Sequence, residues 1–531
     1  MQIRVAIVGP AGTGKSYLLR GLIELLKSKQ LVVMKLAPSG VAAHLIGGTT
    51  LHNFFGLNIE CHSSLENGTV QVAKFRKTDV LVIDEFSMLD FFLFRTAEGL
   101  CRKFAKKHSS SHPWGGRHII LLGDPAQLPA IGHRDIFGTQ LWCTFSVLIL
   151  REVKPATDPI LSGVLLKVRM GICDTEVIQV LKSRLQPRNI NDIELNSTVV
   201  ICSTRAECDE INEECLQRVD GNPVSYEAID TDHNGHPLRE ADVRRLQHCR
   251  EKLPDSLTLK IGARVILRRN INITSGWVNG TLAVVVSMHS NCIVVQKLTN
   301  SAHRYPVPRF RQKIEIQGAS YNIMRQQFPL QLAYGVTVHR IQGCTIQKAI
   351  VCLNNKFFES GHAYVALSRV RNLEDLVLWD FCVTAINLLQ FYKQLLAWCD
   401  YVDETNPNSD PKGEVVPYPE RCDDISNEPL PDSITNTEEV SSNSITFTKA
   451  PEKSPSVNTS KSQSPDKKRP SVSPPDPKVP KSNKTVSPQQ LNQTANQAPL
   501  QFSNSHQVLH TVCPCCMIWL HKLTSTPYLH T

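Results

Sequence analysis

Three short segments hold residue types that do phosphate chemistry. Gly9-Pro10-Ala11-Gly12-Thr13-Gly14-Lys15-Ser16 has the spacing G-x-x-x-x-G-K-[ST]. Gly9, Gly12 and Gly14, with Thr13 among them, let backbone N–H groups curl around phosphate oxygens at a helix N-terminus, whose dipole favours anions. Lys15 would reach the β- and γ-phosphates of ATP, and Ser16 would ligate Mg2+. Val80-Leu81-Val82-Ile83-Asp84-Glu85 is an apolar run ending in two acids. Asp84 is the second candidate Mg2+ holder. Glu85 is the candidate base that orients and deprotonates the attacking water, which implies hydrolysis of the γ-phosphate. Leu121-Leu122-Gly123-Asp124-Pro125-Ala126-Gln127-Leu128-Pro129 follows another apolar run and places Gln127 near the same phosphate.

Such residues need strands that end together at one sheet edge, where ligands sit in open α/β sheets. The chain supplies candidates at Ile3–Val8, Leu31–Leu36, Val80–Ile83, His118–Leu122, Val147–Leu150, Thr198–Cys202 and Ala349–Leu353. Their nearly continuous β-branched and apolar character suits parallel strands covered on both faces. Between the first two, Leu18, Leu19, Leu22, Ile23, Leu25 and Leu26 fall at helical spacing over 16–29. The alternation of strand and helix predicts an α/β protein. Residues 259–300 differ: short strands at Val265–Leu267, Leu282–Ser287 and Cys292–Val295 alternate with Asn279-Gly280 and Ser290-Asn291 turns, which predicts a small antiparallel barrel.

Composition divides the 531 residues. Residues 1–402 hold 46 Lys+Arg and 35 Asp+Glu, a net of +11; residues 403–531 hold 12 and 14, a net of −2, which together give the overall +9. The positive first part suits a polyanionic partner. Residues 403–500 hold 16 of the 32 prolines and 15 serines, with few aromatics, so this segment reads as a disordered tail. Within it, Lys467-Lys468-Arg469 beside Ser464-Pro465 has the form of a nuclear import signal next to a proline-directed phosphorylation site. Cys513, Cys515 and Cys516, with His510 and His521 nearby, form a terminal cluster in which Cys513 and Cys516 have zinc-ligand spacing but lack a folded context; with Trp519 and Leu520 the segment reads equally as a short partner-binding patch. The other 14 of the 17 cysteines are scattered singly, unlike a secreted disulfide framework. No apolar run approaches the ~18 residues of a membrane span. The apolar start lacks the cationic leader and cleavage pattern of a signal peptide.

Taken in order, these motifs and several others resemble the petite-integration-frequency (PIF) family of DNA helicases, RecD-like members of superfamily one. Ala37-Pro38-Ser39-Gly40-Val41-Ala42-Ala43, Thr50-Leu51-His52-Asn53-Phe54-Phe55-Gly56 and Phe86-Ser87-Met88-Leu89 are similar to the family's elements. So are Leu259–Val265 and Val278–Thr281, which look like an inserted SH3-like barrel. Ala333–Thr345 looks like motif V, and Tyr364-Val365-Ala366-Leu367-Ser368-Arg369-Val370 looks like motif VI. The resemblance spans roughly residues 1–385.

It implies two RecA-like P-loop NTPase domains with ATP between them: 1–149, and 150–258 with 330–402, interrupted by the barrel at 259–329 and followed by the tail at 403–531. It also implies 5′-to-3′ movement along single-stranded DNA and unwinding of forked duplex DNA, with a wedge element at about 57–77 that includes the turn-prone Glu66-Asn67-Gly68. Arg369 matches the arginine finger, a device worth ~10³–10⁵ in rate in related phosphoryl transfer. Thr50, His52 and Phe54 match DNA contacts of the first domain, Phe54 as a stacking platform. His339, Gln342 and Thr345 match those of the second. His52 and His339 are not read as metal ligands, because no partner stands at suitable spacing. The setting that follows is DNA replication, repair, recombination or telomere maintenance in the nucleus, with mitochondrial and viral replication sites as alternatives. No membrane contact is expected, and the tail is the place for other protein partners.

Two departures bear on activity. Only eight residues precede Gly9, whereas the family carries an adenine-recognising helix and glutamine upstream, so either base recognition is relaxed or the sequence is incomplete. In Leu150-Arg151-Glu152-Val153-Lys154-Pro155, Pro155 occupies the place of a motif IV arginine, which predicts weakened hydrolysis. The competing readings are a non-unwinding nucleic-acid-dependent ATPase, or a degenerate mobile-element-derived relic. A nucleotide kinase explains Lys15 and Asp84 but not Gln127, His339 or Arg369.

Overall fold

The computed structural model describes residues 2–403, apart from 59–60, 67–68, 106–108, 131–134, 153–157, 248, 250–251, 299–302, 315–320 and 358. All of these belong to one compact unit of the chain. Pro155, Asn67, Gly68 and the whole tail, with its basic cluster and Cys513, Cys515 and Cys516, lie outside the described residues.

The first lobe is a parallel sheet whose six described strands are β1 (Arg4–Val8), β2 (Val33–Ala37), β3 (Thr49–Thr50), β4 (Val80–Asp84), β5 (His118–Gly123) and β6 (Ser146–Ile149). Their order is β3-β2-β4-β5-β1-β6. The apolar runs explain the arrangement: Val80, Leu81, Val82 and Ile83 are fully buried, as strands covered on both faces must be. Helix α1 (Lys15–Ser28) covers one face with Leu19, Leu22, Ile23 and Leu26, an i, i+3, i+4, i+7 stripe. The order brings the C-terminal ends of β1, β4 and β5 side by side, and these are the ends that carry the phosphate loop, Asp84 and Asp124. The predicted strands agree with the observed ones to within two residues at each end. The two-residue β3 is the one strand of this sheet that the pattern does not predict, since so short a strand has no periodicity of its own.

The second lobe is built around strand β7 (Thr198–Cys202). It is flanked in parallel by Gly335–Thr337 on one side, and by Lys348–Leu353 and then Leu376–Phe381 on the other. Between β7 and Gly335–Thr337 the chain leaves the sheet. Arg264–Leu267, Leu282–Met288, Cys292–Lys297, Arg304–Pro308 and Leu330–Leu332 form an antiparallel sheet around Trp277, Val285, Ile293 and Val307. This is the small β-insertion expected from the turn spacing. Antiparallel strands begin upstream of it, at Val224–Glu227 and Ile229–Thr231, where mostly exposed side chains leave little pattern to read. Arg264 secures the insertion. Its guanidinium donates to the Thr198 carbonyl and lies 4.9 Å from the Tyr334 ring centroid, and its N–H donates to the Tyr334 hydroxyl.

Among the described residues, no helix is long and apolar enough to cross a membrane.

Candidate nucleotide site and nucleic-acid groove

The phosphate loop leaves β1 and enters α1 through left-handed turns at Gly12 and Gly14, each with φ +82°, a conformation that costs a side-chain-bearing residue 1–2 kcal/mol, as a rough figure. Its base is fixed to the neighbouring strand by the Gly9 N–H, which donates to the Gly123 carbonyl at 3.2 Å. Thr13 Oγ1 donates to the Pro10 carbonyl at 2.8 Å, which curls the loop further. Lys15 Nζ donates to the carbonyls of Gly9 and Pro10 at 2.6 and 2.9 Å. Burial holds the Lys15 ammonium below its usual pKa, while Asp124, Glu85 and Asp84 pull the other way. Ser16 is exposed at the start of α1.

Asp84 and Glu85 emerge at the end of β4 as the sequence predicts. Burial, with the charge of Glu85 beside it, pushes the Asp84 carboxyl up to about 7, although the Glu85 N–H donates to Asp84 Oδ1 at 3.0 Å. Glu85 has φ +55° and ψ +44°, a left-handed conformation that a non-glycine residue adopts only under outside constraint, and such strain clusters at functional sites. Its Oε2 is buried and has no hydrogen-bond partner among the described residues.

The second lobe reaches directly into this cluster. The Tyr364 hydroxyl accepts the Ala11 N–H at 2.7 Å and donates to Asp124 Oδ2 at 2.9 Å. Arg169, at the end of the helix Pro159–Arg169, grips Asp124 with Nε at 3.0 and 3.1 Å and with Nη2 at 2.9 Å. Gln342 Nε2 donates to Gln127 Oε1 at 3.3 Å, and both side chains are buried. Gly361 (φ +78°) permits the close approach, since a Cβ there would lie 2.6 Å from the Ala126 carbonyl. A cavity lined by Pro10, Ala11 and Gly12 on one side and Thr345, Tyr364 and Arg371 on the other joins the two lobes.

The structure therefore gathers Lys15, Asp84, Glu85, Gln127, Gln342 and Arg369 around one boundary. Arg369 is buried there. Its guanidinium donates to the carbonyls of Val365, Ile341 and Cys344 and to Ser368 Oγ, and burial lowers its pKa against the pull of Glu85. Thr345 faces the cavity by the phosphate loop.

Thr50, His52, Asn53, Gly56, His62 and Asn270 line a separate, open groove. Thr50 caps the helix Leu51–Phe54, its Oγ1 accepting the Asn53 N–H at 3.3 Å. Burial holds the half-buried His52 below the usual histidine pKa. Phe54 corrects the expectation of a stacking platform. Its ring is 6% exposed and packs on Phe55 and Phe75 at 5.0 and 5.5 Å between centroids, so no face is open to a base. The view of His339 as isolated from metal-ligating partners is corrected too. Glu359 Oε2 lies 3.6 Å from His339 Nε2 and 2.8 Å from His362 Nε2. These partners come from a separate loop and helix, which chain spacing does not reveal. Burial pushes His362 down to about 4, and burial also lowers His339.

Sequence reasoning missed three site residues. Tyr364 opens the motif VI segment, where sequence alone gives its hydroxyl no partner. Arg169 looked like an ordinary basic residue in a helix's last turn. Arg371 follows the motif VI arginine closely enough to be hidden by it. The apolar stripe of Pro159–Arg169, with Leu161, Val164, Leu165 and Val168 buried, was the one signal that could have placed Arg169 near a lobe contact.

Two lobes with parallel sheets, a phosphate loop closed by side chains of the second lobe, and a β-insertion in that lobe define a two-lobed P-loop NTPase. Residues 4–154 match the PIF1-like helicase family, and residues 251–288 match the DNA helicase Pif1, 2B domain. The chain is 32% identical over 411 residues to the ATP-dependent DNA helicase Pif1 of Bdellovibrio bacteriovorus, covering 73% of this chain and 88% of the relative. It is 33% identical over 414 residues to the ATP-dependent DNA helicase PIF1 of Xenopus laevis, covering 74% and 62%. The chain belongs to the PIF1-like helicase family. It spans about three fifths of the length of the vertebrate relatives it matches. Among solved structures, it is similar to the Pif1 helicase from Candida albicans (TM-score 0.59, 26% identity, covering 74% of this chain and 95% of the other). It is also similar to the Pif1 helicase from Bacteroides in complex with ADP-AlF3 and single-stranded DNA (TM-score 0.60, 25% identity, covering 75% and 92%).

Proposed function

We propose that this chain is an ATP-dependent DNA helicase that couples ATP hydrolysis to 5′-to-3′ movement along single-stranded DNA and to unwinding of forked duplex. One observation carries the reading: Tyr364 and Gln342 of the second lobe are hydrogen-bonded to Ala11, Asp124 and Gln127 of the first, beside Lys15, Asp84 and Glu85. A nucleotide bound at the phosphate loop then touches both lobes, so its hydrolysis changes their contact. The relatives are named ATP-dependent DNA helicases, and the Bacteroides structure holds ADP-AlF3 and single-stranded DNA.

In this reading the N–H groups of residues 12–16 and the Lys15 ammonium hold the phosphates, and Gln127 orients the γ-phosphate. Glu85 positions the attacking water and takes its proton. Arg369 rotates from the Ile341 and Cys344 carbonyls toward the developing charge. Ser16 and Asp84 are the Mg2+ holders. The raised Asp84 carboxyl and the unpartnered Glu85 oxygen suit a divalent cation, which would relieve the crowding of two acids. Bound Mg2+ supplies charge neutralisation of the phosphates.

The groove with Thr50 and His52 is the entry for DNA in the first lobe, with His339 in the second, and 57–77 is the wedge; Gln342, buried against Gln127, and Thr345, on the cavity by the phosphate loop, serve the nucleotide side instead of contacting DNA. The net +11 of residues 1–402 fits salt-sensitive, sequence-neutral backbone binding. The domains are then 1–149, 150–258 with 330–402, and the insertion 259–329, followed by the tail 403–531. Lys467-Lys468-Arg469 directs the chain to the nucleus, for repair, recombination or telomere maintenance, and the tail recruits other proteins.

The test is strand separation on a forked duplex with a 5′ single-stranded tail, alongside Lys15→Ala. ATP-dependent unwinding that Lys15→Ala loses supports the proposal. Hydrolysis with DNA binding but no separation makes the chain a non-unwinding ATPase, and activity indifferent to DNA removes both.

A further inference from the structure

Outside the phosphate-binding cluster, His339, Glu359 and His362 each bring one ligand atom to within 4.8 Å of the other two. His339 sits on the helix Val338–Ile341, Glu359 on a loop, and His362 on the first turn of the helix His362–Leu367 that leads to Tyr364 and Arg369. Glu359 lies between the rings, its Oε2 2.8 Å from His362 Nε2 and 3.6 Å from His339 Nε2. The rings meet edge to face with centroids 5.1 Å apart.

Two imidazoles and a carboxylate are a donor set for first-row divalent ions, zinc foremost, at bond lengths of ~2.0–2.2 Å. Tetrahedral bonds of that length separate neighbouring donors by roughly 3.3 Å, so closing the set requires shifts of about 1 Å. A second observation comes from His362 itself. The residue is 5% exposed, its Nδ1 has no hydrogen-bond partner among the described residues, and its Nε2 lies directly against the Glu359 carboxylate at 2.8 Å. A cation between them would bond to both the Nε2 lone pair and the carboxylate oxygen. The side chains of His339 and Glu359 are 40% and 37% exposed, so an ion can enter from solvent and keep a position open to water.

We propose that His339, Glu359 and His362 form a binding site for a divalent transition-metal ion, with zinc the ion the donors suit best. Bound there, the ion ties the helix carrying His339 to the start of the helix carrying Tyr364. It thereby stiffens the second-lobe face that meets the phosphate loop, and it engages the imidazole of His339.

The test uses the full chain with Cys513, Cys515 and Cys516 replaced by serine, so that the tail cluster binds no metal. After chelation and dialysis, Co2+ is titrated in and its visible absorption recorded, and Zn2+ is then added in competition with a chromogenic chelator. The same measurements are made on Glu359→Gln, a partly exposed position that keeps the fold, and on His362→Gln, with thermal unfolding to confirm both. The expected result is ligand-field absorption without a thiolate charge-transfer band, its displacement by Zn2+, and one bound equivalent fewer in each variant. Equal stoichiometry in the parent and Glu359→Gln, or a band carrying thiolate charge transfer, overturns the site.

Discussion

Tyr364 of the second lobe accepts the backbone N–H of Ala11 in the phosphate loop at 2.7 Å, and the same hydroxyl donates to Asp124 at 2.9 Å. One oxygen thus joins the loop that holds phosphate, an acid beside it, and the helix that leads to Arg369. The lobes are registered to each other by this contact, and the geometry of the site depends on it.

Removing only that oxygen should uncouple the lobes while leaving the ring's packing. Tyr364→Phe is expected to lower DNA-stimulated ATP turnover about tenfold, the kinetic equivalent of the ~1.4 kcal/mol near the top of what a buried hydrogen bond contributes. Steady-state ATPase assays with and without single-stranded DNA check this. Turnover equal to the parent's would mean that the hydroxyl registers nothing.

Asp124 is fully buried and held by both Tyr364 and Arg169. Breaking a buried pair from one side leaves an uncompensated charge and costs about 3–5 kcal/mol. Arg169→Met should therefore destabilise strongly in denaturant unfolding. Arg169→Met with Asp124→Leu should recover most of that stability without recovering ATPase activity. Equal stability of the single and double variants would show that the charge pair is not the cause.

Asp84 gives a pH dependence. Its carboxyl is raised from the ordinary 3.8 to about 7, so the folded chain holds its proton more tightly than the unfolded chain does. Stability from this group is present below about pH 4 and falls as pH rises towards 7, since above the unfolded value only the folded state still binds the proton. Asp84→Asn removes that loss. At pH 8 its Tm should exceed the parent's by roughly 2–6 °C, with little difference at pH 4, while ATP hydrolysis is lost. A Tm difference independent of pH would contradict the assignment.

Much of this site was legible because its chemistry is local. The phosphate loop, Asp84-Glu85 and Gln127 each follow a strand that apolar patterning marks, so the sheet edge follows from the sequence. Contacts between the lobes were not legible. Arg169 and Asp124 meet only after two sheets have packed, and helical spacing says nothing about a partner on another lobe; His339 and His362 lie on different helices of the same lobe, which local spacing does not bring together either. Phe54 shows the opposite failure. Its match to a DNA-contacting element of the family made it a platform, but Phe55 and Phe75 draw its ring into the core.

Phe54 and His52 separate the two kinds of role within four residues of helix. Phe54→Ala removes a ring that touches two others inside the core, and should cost about 3–5 kcal/mol of stability. At a temperature where the variant remains folded, its affinity for single-stranded DNA should match the parent's. His52 lines the open groove and is only half-buried, so His52→Ala should leave Tm within a degree or two. It should weaken DNA binding several-fold, as loss of one polar or stacking contact does. Fluorescence anisotropy with a labelled oligonucleotide, at two salt concentrations, reads both variants. If Phe54→Ala lowers affinity with its stability intact, the ring leaves the core to stack on DNA and the buried arrangement is not the one that binds.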